Sequence, residues 1–304
     1  MVHISDFLSA AEVKDFSSKS NDKATLLVAN NWLIIFLAFF FVSIFPNVLT
    51  VLMAVFLIGG RQLGLAILMH EAGHGILFET DKLNNRIGQW LCAYPMLADV
   101  HAYAATHRQH HRLAGSDKDP DLPNYQSYPV EKASFRRKII RDLTGQTGIK
   151  LLSGILLSSN DRMLSTEQTK THLLGGLLAN AVLAFIAINL FSIWIYLIWW
   201  LAYLTTYPLF ARLRQVAEHG SVEDLYDPDP RKHTRTTVPN ILEQLFVCPN
   251  NVNYHCEHHF IPTVPCYRLK ELHASLQEKG FYRHHPNALE IGYRNVIARA
   301  VINN

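Results

Sequence analysis

Residues 24–60, ATLLVANNWLIIFLAFFFVSIFPNVLTVLMAVFLIGG, contain no Asp, Glu, Lys or Arg. A continuous helix of that length would extend roughly 55 Å against a hydrocarbon core of about 30 Å, too long for one crossing. Pro46-Asn47 supplies a turn near the middle, so the stretch folds back as a hairpin with spans of about 18 residues. Leu173 to Ala211 is a second uncharged stretch, with a weaker break at Asn189 and Ser192. The pattern predicts an all-α membrane protein with four transmembrane helices in two hairpins, at about 26–69 and 173–211. At 304 residues, 49% hydrophobic and only 17% charged, the chain suits a single membrane domain over residues 1–304.

The Lys and Arg residues, 28 in all, avoid both hairpin turns and lie in the N-terminal, middle and C-terminal segments. The positive-inside rule puts those segments in the cytoplasm, which makes the protein integral and multi-pass. Residues 1–23 do not read as a signal peptide, because Asp6, Glu12 and Asp15 interrupt any apolar core. Ser9-Ala-Ala-Glu12 instead resembles a capping box opening a short interfacial helix. Cys92, Cys248, Cys256 and Cys266 show no CxxC spacing, and a cytoplasmic setting keeps thiols reduced, so no disulfide is assigned. A net charge of +3 without a basic stripe interleaved with aromatics gives no case for nucleic acid.

Nine of the sixteen histidines fall into four clusters, His70/His74, His107/His110/His111, His219 and His255/His258/His259, all in the cytoplasmic segments. The second span runs past Arg61 into His70 without a breaker, and the fourth runs past Arg212 to His219, with Gly220 as a plausible C-cap. Both helices raise a histidine roughly 10–14 Å above the membrane surface. Histidines at i, i+3 and i+4 share one helix face and can aim at one point. Residues 70–172 and 212–304 then form a cytoplasmic helical cap, with a Pro- and Asp-rich loop at Ser116 to Pro129 and a helix from Tyr267 to Lys279 ended by Gly280.

A single histidine is ordinarily a surface or satisfied core residue, so His3, His101, His172, His233, His273, His284 and His285 are given no role. Two HxxHH clusters in one chain are another matter. Imidazole suits Fe, Zn, Cu and Ni, and nine imidazoles exceed the four ligands of one zinc, which points to two metals without choosing between zinc and iron. His70-Glu71-Ala-Gly-His74 is also a literal HExxH, so a zinc intramembrane protease with Glu71 as general base is a competitor, although it uses only two of the nine. A carboxylate di-iron bundle wants two Glu-x-x-His pairs, and only Glu71/His74 has that spacing. Asp117, Asp119 and Asp121 resemble the start of a calcium loop, but Leu122 and Tyr128 stand where its Gly and closing Glu belong. Their expected role is a structural cap, solvated or paired to Arg108 and Arg112.

The order HEAGH (70–74), HRQHH (107–111), EHG (218–220) and NVNYHCEHHFIPTVPCYRL (251–269) resembles the membrane fatty acid desaturase superfamily over most of the chain, roughly Leu63 to Gly280. DPDLP (119–123) resembles the bacterial branch near carotenoid ketolases and hydroxylases, and suggests a bacterial inner membrane. The resemblance implies a di-iron centre, with two Fe ions held by His70, His74, His107, His110, His111, His219, His255, His258 and His259. Some acyl-CoA members add an Asn one helical turn before the histidine that His219 matches; here Gln215 stands there. The first box is one residue shorter than the HxxxxH of those enzymes, which favours an acyl-lipid, free-acid or other substrate. Glu71, Glu218 and Glu257 each adjoin a ligand and read either as carboxylates orienting imidazoles or as surface partners of Arg108, Arg112, Arg212 or Arg214.

The implied activity is O2-dependent oxidation of an unactivated C–H bond, foremost introduction of a double bond into a fatty acyl chain, with a hydroxylase, ketolase or oxidative decarboxylase as the alternative. A non-catalytic metal-binding membrane protein is the remaining possibility. Such oxidation needs two external electrons, and no cysteine grouping fits an iron–sulfur cluster. A separate ferredoxin, rubredoxin or cytochrome b5 type donor is therefore expected, docking near Arg136, Arg137 and Lys138, although attraction to anionic lipid explains that basic run equally well.

Overall fold

The computed structural model describes residues 2–157 and 166–302. The chain enters through a short helix, α1 (Ala10–Phe16), capped by the reciprocal Ser9–Glu12 box expected from its sequence. Four helical runs are long and apolar enough to cross a membrane: Asn21–Ile44, Val48–His74, His172–Leu190 and Ile193–His219. The first two are α2 (Asn21–Ile44) and α3 (Val48–His74), which pack closely on each other. Pro46 separates them, and the Asn47 side chain accepts from the amides of Leu49 and Thr50 to cap α3. Each helix overruns its uncharged stretch, because nothing in the flanking polar residues breaks the helix.

After α3 come α4 (Asp81–Ile87), α5 (Val100–Leu113), α6 (Lys132–Leu143) and α7 (Gln146–Leu157). The expected cytoplasmic segment 70–172 includes 158–165, which lie outside the described residues. α8 (Thr166–Leu190) and α9 (Ile193–Leu204) meet at Ser192, while Asn189 bonds back to Phe185 inside α8; Ser192 marks the turn and Asn189 does not. α10 (Thr206–His219) continues from α9 after a kink at Thr205. Short helices α11 (Pro230–His233), α12 (Ile241–Phe246) and α13 (His255–Phe260) follow, then α14 (Leu269–Glu278) and α15 (Tyr293–Ala300). α14 is entered through a 3-10 turn at Cys266–Arg268 and is followed by Gly280 at φ +78°, close to the expected span.

The fold is mostly helical but not purely so. Strands β1 (Val130–Glu131) and β4 (Val301–Ile302) pair in parallel, as do β2 (Thr236–Val238) and β3 (Leu289–Ile291). Each sheet ties the end of the chain to a loop near the histidines. Their three-residue and two-residue lengths leave no alternating pattern for a sequence to show.

The apolar core between α2, α3 and α9 centres on Trp199, which is fully buried and stacks on Trp32 at 6.0 Å. Close helix approach depends on glycine. A Cβ on Gly59 would sit 2.1 Å from Thr206 Oγ1, and that hydroxyl donates to the Val55 carbonyl at 2.7 Å. α3 and α10 therefore run side by side up to the level of His70 and His219. Arg235 is buried just beyond, with its guanidinium donating to the carbonyl oxygens of Ala217, Gly220, Ser221 and Asn287. The carbonyls of Ala217, Gly220 and Ser221 belong to the end of α10 and the turn after it, where a cation offsets the helix dipole, and that of Asn287 ties in the Pro286–Ala288 turn. Gly220 there is extended (φ −79°, ψ 136°), so the end of α10 is stabilised by Arg235 and not by a left-handed glycine.

Candidate metal centre

The last turn of α3 carries His70 and His74 and stops at Gly75, whose φ of +74° is the left-handed conformation that glycine tolerates. α5 presents His107, His110 and His111, with Asp99 capping its first turn through the Ala102 amide at 2.8 Å. α10 supplies His219, and α13 supplies His255, His258 and His259. Four helices distant in sequence bring all nine together.

They form two groups. The ligand-capable nitrogens of His70, His74, His107, His111 and His258 lie within 4.8 Å of one another, as do those of His110, His219 and His259. His255 joins the second group, its Nε2 2.9 Å from that of His219. His110 Nε2 lies 3.3 Å from His259 Nε2, and His111 Nε2 lies 2.9 and 3.0 Å from those of His107 and His258. Gln215 sits one turn before His219, half-buried, outside both groups and without a side-chain hydrogen bond among the described residues.

The donor set fits a cation. His70 hydrogen-bonds through Nδ1 to Glu71 Oε1 at 3.0 Å, which leaves a lone pair on Nε2, and that buried atom has no hydrogen-bond partner. His74 Nε2 is equally orphaned. Buried polar atoms without partners cost free energy unless something binds them, and a metal would. Electrostatics select the same protonation state. Burial, then the charge of neighbouring imidazoles, hold His107, His255, His258 and His259 well below the usual 6.5, and push His111 to about 2. Neutral imidazole is the form that ligates.

Glu71 spends both oxygens on the protein, one on His70 and the other accepting the Cys266 amide at 2.7 Å. With each oxygen already accepting a hydrogen bond inside the protein, the arrangement suits a carboxylate that orients an imidazole better than a free general base. Glu218 accepts from Arg214 Nε at 2.6 Å, the arginine pairing expected for it, and lies 3.4 Å from His255 Nδ1 without a hydrogen bond to it. Among the described residues the Glu257 side chain bonds neither a clustered histidine nor Arg108, Arg112, Arg212 or Arg214. Its carboxylate accepts from His273 Nδ1 at 2.5 Å and from the hydroxyls of Thr236 and Tyr282, which locks α13 to α14 and to the β2 strand.

Sequence reasoning missed several supports. Asp119 pairs with His110 Nδ1 at 2.8 Å and accepts from Tyr125, not from Arg108 or Arg112; Arg108 reaches the Gly73 carbonyl at 3.4 Å. The DPD sequence nine residues after His110 was the available signal. His273 was given no role yet holds Glu257, and His172 Nδ1 lies 2.7 Å from Asp99 Oδ2. His233 is buried beside the second group, its carbonyl accepting from His219 Nδ1 at 3.1 Å. All four cysteines are buried and unpaired.

Comparison with known proteins agrees with this site. The fatty acid desaturase family model matches residues 46–288. A dihydrorhizobitoxine desaturase of Bradyrhizobium elkanii is 27% identical over 248 residues, covering 75% of this chain and 68% of that protein. A beta-carotene ketolase of Paracoccus sp. (strain PC1) is 28% identical over 217 residues, covering 68% of this chain and 73% of that protein. All the histidine clusters lie inside the matched span, and the chain belongs to the fatty acid desaturase family, a kinship that makes it an oxidoreductase.

Proposed function

We propose that this protein is an integral membrane, di-iron, O2-dependent desaturase that introduces a double bond into a fatty acyl chain. The carrying observation is the convergence of nine histidines from α3, α5, α10 and α13 into two groups, with the buried Nε2 atoms of His70 and His74 left without a hydrogen-bond partner. His70, His74, His107, His111 and His258 would hold one iron, and His110, His219, His255 and His259 the other. Bound there with dioxygen and two electrons, the pair supplies the oxidising power to remove hydrogen from an unactivated C–H bond. The chain's own part is to fix the imidazoles through Glu71 and Asp119, to keep water out and to hold the substrate carbon nearby.

In this reading α2 with α3 and α8 with α9 are two transmembrane hairpins of one domain, and the histidines face the cytoplasm of a bacterial inner membrane. Two bacterial relatives and the absence of Lys and Arg from both turns support it. A cavity of about 550 Å³ between α2, α8 and the Ile87–Pro95 segment is lined by Trp32, Phe39, Phe78, Trp90, Leu183 and Phe191. None of the nine histidines lines it, so it reads as a lipid-facing recess. Electrons come from a separate donor of the ferredoxin, rubredoxin or cytochrome b5 type; Arg136 and Arg137 of α6 are exposed and available to it.

The ketolase relative favours a second reading, oxygenation of a hydrophobic substrate. Metal analysis of purified protein tests the class, with two irons per chain expected and zinc without iron overturning it. Lipid extracts from a host with and without the enzyme then separate alkene from oxygenated product.

A further inference from the structure

The two histidine groups are unequal, with five imidazoles around the first centre and four, His110, His219, His255 and His259, around the second. His233 lies beside this second group, next to His259, although it is outside the three whose nitrogens approach within 4.8 Å of one another. Its side chain is buried, and its ring centroid lies 5.7 Å from that of His259 at an interplanar angle of 77°, comparable with the 5.1 Å between His219 and His259. The ring is fixed from behind, because Nδ1 donates to the Asp227 carbonyl at 2.8 Å. A carbonyl only accepts, so that bond sets the tautomer and leaves the lone pair on Nε2. His70, His110 and His219 show the same arrangement, with Nδ1 held by Glu71, Asp119 and the His233 carbonyl. His233 Nε2 has no hydrogen-bond partner among the described residues.

The backbone is also well placed. α11 is capped at Asp229, the Thr234 hydroxyl donates to the Pro230 carbonyl, and the next residue is the buried Arg235 clamp. His233 thus sits on a braced turn and touches one ligand through its backbone and another through its ring.

We propose that His233 is a fifth imidazole ligand of the second metal, through Nε2, completing a ten-histidine site. This rests on the two-iron reading above. The test uses three variants of the full-length protein loaded with 57Fe. His233→Asn keeps an amide N–H for Asp227 and lacks the distal nitrogen; His233→Gln places an amide near the distal position. Iron retained per chain is followed during dialysis against a chelator, and Mössbauer spectra are recorded before dialysis. Wild type keeps two irons, and His233→Asn loses one of them at least on the order of tenfold faster. One quadrupole doublet should change while the other stays. Both irons retained at the wild-type rate with both doublets unchanged would overturn the proposal. Metal-free melting curves check that each variant folds, and if His233→Asn does not, the same readouts on His233→Ala, which has no distal donor, decide, with His233→Gln expected to hold the iron longer than either. A wild type without iron would instead sink the two-iron reading itself.

Discussion

Asp119 accepts a 2.8 Å hydrogen bond from His110 Nδ1, and both side chains are buried. Burial alone would raise the Asp119 carboxyl, but the bond and the charge of His110, with the Tyr125 hydroxyl and the Asp121 amide, outweigh it and hold it below the usual 3.8. A carboxylate behind an imidazole fixes its tautomer and raises its basicity. Asp119→Ala should therefore weaken binding of one metal by roughly 10- to 100-fold and leave the other in place. Metal titration of the variant checks this, and two sites of wild-type affinity would contradict it.

Glu257 receives three side-chain donors, from Thr236, His273 and Tyr282. Replacing the carboxylate with an amide, Glu257→Gln, puts an N–H against donors that need an acceptor. A loss of about 1.5–3 kcal/mol is expected, as for hydrogen bonds to a charged group. Because the network anchors α13 rather than an imidazole, protease sensitivity should rise near residues 250–265. A Gln variant that melts like the wild type would remove Glu257 from the scaffold.

The guanidinium of Arg235 reaches four carbonyl oxygens, and no single ammonium can match that fork. Arg235→Lys should cost on the order of 2 kcal/mol and fray the end of α10 beneath His219. Hydrogen exchange at the amides of Ala217 to Gly220 would report it; exchange at the wild-type rate would refute it.

In the metal-free protein, five imidazoles from α5 and α13 sit well below 6.5 because burial and mutual repulsion disfavour the charged ring. Unfolded, the same residues take up protons near their ordinary value. Below pH 6.5 the unfolded state is thus the better proton binder, so stability is full above that pH and is lost progressively as pH falls toward the folded values. Metal-free melting points should drop between pH about 7.5 and about 5.5, whereas a flat profile would argue against this cluster.

Gly59 leaves no room for a side chain against Thr206. Gly59→Val should destabilise by about 1–3 kcal/mol through overpacking, and more if the Thr206 hydroxyl loses the Val55 carbonyl. Denaturation of the purified protein in detergent measures it.

What could be read from the sequence follows from how local each signal is. His107, His110 and His111 share a face whatever surrounds them, and residues 24–60 are apolar in any context, so the helices and the nine clustered histidines were legible. Asp119, His233, His273 and Arg235 act through partners brought near by tertiary folding, and a lone residue in a loop carries no period. Glu257 shows the converse, since adjacency to His258 suggested a metal role while its side chain turns the other way, toward Tyr282. The paired β2 and β3 segments are too short to show an alternation.

α3 runs without interruption from Val48 to His74, so its apolar length and two of the histidines are parts of one rod. A spanning helix whose length does not match its bilayer tilts, at fractions of a kcal/mol per Å. With α3 spanning the membrane as proposed, such a tilt would carry His70 and His74 along, while His258, on the separate helix α13, would not follow rigidly. Bilayer thickness then becomes a setting on ligand alignment, and the acyl-chain length of the host lipid a means of tuning the centre without touching a residue.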